Sequence, residues 1–320
     1  MSARMFDIGP VAITHYDAVR LVAIPVFVWA AYTDVKTRRV SNQLWPPLLG
    51  LALIALLLEG LDAITTGGAV WQEFVLVVGL SIGLLVPLAY GFWYLGGFGG
   101  ADAKAIMVLA LLFPTVPLYE VGDMVLPVVD PAAGVFSLSI LTNAVVVGLV
   151  YPLALAGRNL AAGDIARTMF IGRRIRSSTV IEVPGRLIET RSGIDTRGLD
   201  LDALRMYLTW RGIDLEELRA DPDQYRTTIP EEPVEPGDGA VADGGTTDPW
   251  AAEAFLADVS GRAYGTTPEG LRDGLEVLVD QDRVWYTPGI PFILLIVVGL
   301  ALALVYGDLM TTGMEFIGLA

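Results

Sequence analysis

No cysteine occurs in the 320 residues, and His15 is the one histidine. Disulfides, thiolate metal sites, cysteine nucleophiles and CxxC zinc modules are therefore excluded. A single imidazole ahead of the first apolar run can supply neither a histidine metal site nor a serine–histidine pair. Lysine is nearly missing too: Lys36 and Lys104 are the only two, and 36 acidic residues face 21 basic ones for a net charge of −15. Phosphate binding needs clustered Lys and Arg, so no nucleic-acid partner is expected. Surplus carboxylates with so little lysine suit a salt-rich cytoplasm that screens their repulsion. No secretory signal is read at the start, where Arg4 stands alone and no small-residue cleavage site follows the first apolar run.

What is present is apolar, and it comes in blocks. Hydrophobic residues make up 53% of the chain and mean hydropathy is +0.56, beyond the interspersed composition of a soluble domain. The blocks predict an all-α polytopic membrane protein with about six transmembrane helices, over 21–33, 44–58, 74–95, 105–119, 135–156 and 288–306. The first is short, and Arg20 before it can snorkel outward to lengthen it. Pro114 and Pro117 kink or end the fourth. Gly79 and Gly83 form a GxxxG pair in the third, a spacing that permits close helix packing. Segments 59–73, 120–134 and 307–320 hold no Lys or Arg, whereas 36–39 holds three and every arginine after Lys104 lies within 158–283. The positive-inside rule then places 34–43, 96–104 and 158–287 in the cytoplasm and both termini outside, in a multi-pass protein of the cell membrane.

Three parts are expected: a membrane domain over 1–157, a cytoplasmic insertion over 158–287 between the fifth and sixth helices, and 288–320 with the sixth helix and an extracellular C-terminus. The insertion opens rich in arginine over 158–176, which suits anionic headgroups. Alternation at 186–189 suggests a short strand, and 201–218 has helical spacing broken near Gly212. Helices are also expected over 249–259 and 268–279, the latter with Thr267 as N-cap and Pro268 at its first position. Residues 228–248, rich in Pro, Gly and acid, read as a disordered linker. The insertion as a whole reads as α-rich and partly disordered, without a catalytic motif.

One run stands apart: Gly96-Gly97-Phe98-Gly99-Gly100-Ala101-Asp102-Ala103-Lys104, which leads directly into the fourth apolar block. A carboxylate entering membrane depth is costly and by default functional, although Asp also caps helices well. Glu59, Asp62, Glu73, Glu120, Asp123 and Asp130 flank spans on the outer side and read as solvated loop acids. Asp34, closing the first span, and Asp102, opening the fourth, are the two acids at cytoplasmic ends of the early spans. Antiparallel helices bring both to one depth. Two carboxylates in one partly desolvated site do not both ionise cheaply, so one keeps its proton. The ionised partner can then act as general base on water while the protonated one polarises a carbonyl. Such a pair hydrolyses amides without metal, cysteine or histidine. Aspartates serving as ion or proton sites of a transporter, or as plain caps in a membrane scaffold, are the alternatives.

Tyr32-Thr33-Asp34, then Arg38-Arg39-Val40-Ser41-Asn42, then Gly99-Gly100-Ala101-Asp102-Ala103-Lys104 resembles the archaeal type IV prepilin and preflagellin peptidases. These are membrane aspartic proteases with a GxGD motif, a group that also includes presenilin-like enzymes. The resemblance is closest to haloarchaeal members and extends to the six spans and to an insertion before the last helix. It implies that Asp34 and Asp102 are the catalytic pair and that Gly99 and Gly100 belong to the motif. Ala101 replaces the motif's second glycine, where positive φ is then disfavoured. Lys104 follows as in many relatives and would lower the pKa of Asp102, bind a substrate acid, or meet headgroups. Arg38 and Arg39 would orient the site or serve topology, and Asn42 would bond near Asp34 or cap the second helix, capping being the simpler role. Some bacterial relatives carry a cytoplasmic zinc module linked to N-methylation; without it, peptidase activity alone is implied, with no metal or cofactor. The implied substrates are prepilin- and preflagellin-like precursors, cut at the cytoplasmic face of the bilayer for pilus or archaellum assembly. The Pro-Ala-Leu motif of presenilin-like enzymes is absent, and Pro288-Gly289-Ile290-Pro291 stands in its place.

Overall fold

Proline decides where the first helices bend and stop. In the computed structural model, which describes residues 5–8, 11–37, 40–131, 134–226, 248–259, 263–289 and 291–318, the first expected span is two helices. These are α1 (His15–Val22) and α2 (Ile24–Thr37), joined at Ala23. Pro25 has no N–H to give the preceding turn, so the ladder breaks there. Next come α3 (Trp45–Thr66), opened by Pro46 and Pro47, α4 (Gly68–Tyr94), α5 (Gly100–Leu112) and α6 (Phe136–Ala161). Among the described residues four helices are long and apolar enough to cross a membrane: His15–Thr37, Asn42–Thr66, Gly68–Tyr94 and Phe136–Ala161. The fourth and sixth expected spans are shorter helices. Helix α5 starts at Gly100 and ends at Leu112 before Pro114, and the last apolar block forms a helix of 14 residues at Phe292–Val305.

The chain divides into two units, Met1–Tyr151 with Pro291–Ala320, and Pro152–Ile290. The first is mainly helical but not all-α. Strands β1 (Met5–Ile8), β2 (Val11–Thr14), β3 (Tyr119–Val121) and β4 (Met124–Leu126) form an antiparallel sheet in that order, with Val11 opposite Val121 and Ile13 opposite Tyr119. The pairing joins residues a hundred positions apart, which no local pattern announces. Inside this unit α5 is the most enclosed helix, packed against α3 and α4. Ser81 of α4 donates to the Ala110 carbonyl at 2.7 Å and lies 2.7 Å from the Ser137 hydroxyl of α6, the kind of polar link that helices in lipid use.

Gly79 and Gly83 do not mediate close packing: a Cβ at either would meet nothing within 4 Å. The close crossing is made by Gly299 of the last apolar helix. A Cβ there would fall 2.5 Å from the Ile140 carbonyl oxygen and 2.7 Å from the Ala144 nitrogen of α6.

The second unit corrects the α-rich expectation. Strands β5 (Arg173–Arg176), β6 (Arg186–Thr190), β7 (Gly193–Asp200) and β8 (Arg283–Thr287) make an antiparallel sheet ordered β5-β8-β6-β7. β8 arrives last in the chain yet sits between β5 and β6. Helices α7 (Leu201–Arg211), α8 (Leu215–Ala220), α9 (Pro222–Tyr225), α10 (Ala252–Asp258) and α11 (Pro268–Asp280) complete the unit. The expected break is at Gly212, which takes the left-handed conformation that ends α7. Thr267 caps α11 by accepting from the Gly270 N–H. Of the expected linker, 228–247 lie outside the described residues, while Asp248 is buried and its carboxylate accepts from the Glu253 N–H and from Arg272. The chain returns to the first unit as α12 (Phe292–Val305) and ends in α13 (Leu309–Phe316).

Candidate active site

Asp34 belongs to the buried face of α2. Phe27, Ala30, Ala31 and Asp34 fall at helical spacing and are the buried residues of that helix, Asp34 at 9% exposure. Three apolar side chains and one carboxylate on a single inward stripe is not a surface pattern. Lys36 points elsewhere, exposed, with Nζ 5.0 Å from the Tyr32 ring centroid. Arg38 and Arg39 lie outside the described residues.

The glycine run builds a tight turn between α4 and α5. Gly96 takes φ +75, where glycine alone is unstrained, and the N–H groups of Gly97 and Phe98 both donate to the Phe92 carbonyl. Phe98 is stacked between Phe92 and Phe292, with ring centroids 4.9 and 5.0 Å apart. Gly99 is the N-cap of α5 and its N–H donates to Asp102 Oδ2 at 3.1 Å. A side chain at Gly99 would put its Cβ 3.0 Å from that same oxygen. The half-buried Asp102 carboxylate therefore folds back over Gly99, where any side chain would crowd it. Ala101 lies in the first turn of α5 with helical backbone, so its position does not demand the positive φ that glycine would supply.

Lys104 donates to Asn42 Oδ1 at 2.7 Å. The capping role expected of Asn42 belongs to Ser41, whose hydroxyl accepts from the Gln43 N–H at the start of the short turn leading into α3. The Lys104–Asn42 bond joins the first turn of α5 to the segment that follows α2. The end of α2 with Asp34 and the start of α5 with Asp102 thus share one end of the unit, and α2 and α5 both pack on α12. Among the described residues no group of three or more His, Asp or Glu side chains is placed to hold a metal ion.

The opposite end of the helices carries a charge cluster that the sequence did not disclose. Arg20 is fully buried rather than snorkelling, with Nη1 2.7 Å from Asp17 and Nη2 2.5 Å from Glu59. Its Nε donates to the Leu112 carbonyl at 2.7 Å, and Thr115 donates to Glu59. Glu59, read as a loop acid, is therefore a partner inside the fold. The signal available was a lone arginine and a lone glutamate next to apolar blocks, which must find partners when buried. Beside this cluster lies a cavity of about 440 Å³ lined by Tyr16, Glu59, Asp62, Glu73, Thr115 and Asp130, remote from Asp34 and Asp102 along the helices.

Residues 21–172 match the model of the type IV leader peptidase family, and residues 263–309 match that of the archaeal peptidase A24 C-terminus, type II. A preflagellin peptidase of Methanocaldococcus jannaschii is 24% identical over 170 residues, which cover 50% of this chain and 68% of that protein. No solved structure matches the chain.

Proposed function

The chain belongs to the type IV leader peptidase family, and on that premise we propose that it is a membrane aspartic endopeptidase removing short, positively charged leaders from prepilin- and preflagellin-like precursors. Asp34 and Asp102 carry the reaction. The observation that supports this most is the placement of one carboxylate on the buried stripe of α2 and the other in the first turn of α5, at the end joined by Lys104 and Asn42. One aspartate, ionised, takes a proton from water as the water oxygen attacks the scissile carbonyl carbon. The other, protonated, gives its proton to the carbonyl oxygen. As the tetrahedral diol collapses, the second aspartate takes back a proton from a diol hydroxyl, the C–N bond breaks, and the first gives its proton to the leaving amine.

In this reading six segments cross the bilayer, with 1–157 and 288–320 in the membrane body, 158–287 cytoplasmic and both termini outside. Helices α5 and α12 are the two short crossings. α5 tolerates this because it is enclosed by protein, where irregular backbone at membrane depth can be satisfied without lipid contact. Cleavage then falls at the cytoplasmic boundary, just before the hydrophobic segment of the precursor.

The test is co-expression in membranes of a prepilin-like reporter with wild type, D34N or D102N, with blots to show equal accumulation of each variant. Wild type is expected to cut and both variants to leave the precursor intact. A well-inserted variant that cuts at the wild-type rate would reduce that aspartate to a helix cap.

A further inference from the structure

We infer that residues 158–176, at the opening of the second unit, form a docking surface for the phosphate-bearing headgroups of an anionic lipid layer. Helix α6 is long and apolar enough to cross a membrane and carries Arg158 in its last turn. The chain does not drift away from that end. Asn159, 2% exposed, donates through Nδ2 to the carbonyls of Met169 at 2.8 Å and Gly172 at 2.7 Å. The Asp164 N–H returns to the Asn159 carbonyl at 2.9 Å. Residues 160–172 are thus folded back as a hook on the last turn of the helix, at the level where a spanning helix leaves the hydrocarbon.

The hook exposes what a water-facing surface would bury. Ile165 is 71% exposed, and Leu160, Phe170 and Ile171 are exposed as well. Between them Arg158, Arg167, Arg174 and Arg176 stand exposed, none in an ion pair among the described residues. Arg174 and Arg176 alternate along β5 and share one face of this edge strand. Large apolar side chains interleaved with arginines are the composition of a segment that lies in the interface plane, its apolar part among acyl chains and its charges among phosphates. Polarity within the unit points the same way. Residues 158–176 hold five arginines and one acid, Asp164, which is paired with Arg283 at 3.1 Å, whereas 177–287 hold 23 acids and ten arginines. An anionic surface attracts the first stretch and repels the rest. The arginines are visible in the sequence; the four apolar side chains beside them, and the asparagine that gathers them at the helix end, emerge from the fold.

The absence of cysteine allows a clean test on the full chain. Ile171→Cys, and Asp195→Cys as a control on the β7 side, are labelled with an environment-sensitive fluorophore. Each is reconstituted in vesicles of phosphatidylcholine alone or with phosphatidylglycerol, with and without lipids bearing a quencher at the headgroup–acyl boundary. The label at 171 is expected to shift to the blue and be quenched in the anionic vesicles, less so in neutral ones or in molar salt, while the label at 195 stays solvent-like. R174Q/R176Q, at exposed positions that leave the core intact, is expected to weaken docking by roughly thirtyfold. A label at 171 that is solvent-like in both vesicles would overturn the inference. So would quenching that ignores headgroup charge and the two arginines, which would mark contact with acyl chains or with protein instead.

Discussion

Gly99 lies close against the carboxylate of Asp102, one of the two aspartates proposed to be catalytic. In G99A the new Cβ would stand 3.0 Å from Asp102 Oδ2, so the carboxylate must give by a few tenths of an ångström and its bond from the Gly99 N–H is strained. That shift is small in folding terms, but a misplacement on the scale of 1 Å can lower a rate about a hundredfold. G99A is expected to cut the reporter roughly ten to a hundred times more slowly than wild type at equal accumulation. A101G is expected to do the reverse: cleavage within about twofold of wild type, with a loss of at most about 1 kcal/mol from the helical backbone. Single-turnover cleavage beside a thermal melt in detergent separates the two outcomes. If A101G cut several-fold faster than wild type, glycine would have a role at that position beyond backbone freedom, and the helical geometry of Ala101 would not account for it.

Among the helices, the crossing of α12 on α6 leaves no room for a side chain. Gly299 lies against backbone atoms of Ile140 and Ala144, which have no rotamer by which to give way. G299L is expected to push the helices apart and lower stability by about 1–3 kcal/mol, as overpacking does. A Cβ at Gly79 or Gly83 meets nothing within 4 Å, and leucine there is expected to leave the melting temperature unchanged. Parallel melts of the three variants in detergent test this ordering, and equal behaviour would refute it. The consequence reaches the site, because α12 also carries Phe292, which stacks on Phe98 of the glycine turn. At the far end, Arg20 binds α1 to α3 and to the last turn of α5 through Asp17, Glu59 and the Leu112 carbonyl. α5 is therefore held at both ends, by Lys104–Asn42 at one and by the arginine at the other.

For the molecule as a whole, acidity sets a limit on stability. In the second unit burial alone would raise the Glu276 carboxyl, but hydrogen bonds from Arg226, Trp250 and Arg191 outweigh it and hold the group below its ordinary range. Asp248 is likewise held low against burial, by Arg272 and backbone N–H groups. Both contribute stability that is full above the unfolded carboxyl range, about pH 4, and is lost as pH falls below it through their depressed values in the folded protein. Asp200, raised by burial, has the opposite sign and offsets part of that loss. Melts of the full chain are expected to drop as pH falls from about 5 toward 3, and E276Q to melt lower at pH 6 with a shallower slope across that window; a variant with the wild-type slope would remove Glu276 from the account.

By itself the sequence determined that this chain is an apolar, mainly helical membrane protein with its arginines gathered beyond the fifth apolar block. It also singled out Asp34 and Asp102 and placed the Gly212 break and the Thr267 cap. Each of these rests on neighbours within a few turns. The tertiary structure decided which partners meet across long separations: Arg20 with Glu59, Gly299 with α6, Lys104 with Asn42, and β8 between β5 and β6. Composition and periodicity report where a side chain is on its own helix or strand. Which distant atom it meets depends on how the elements pack and pair, and no local window contains that.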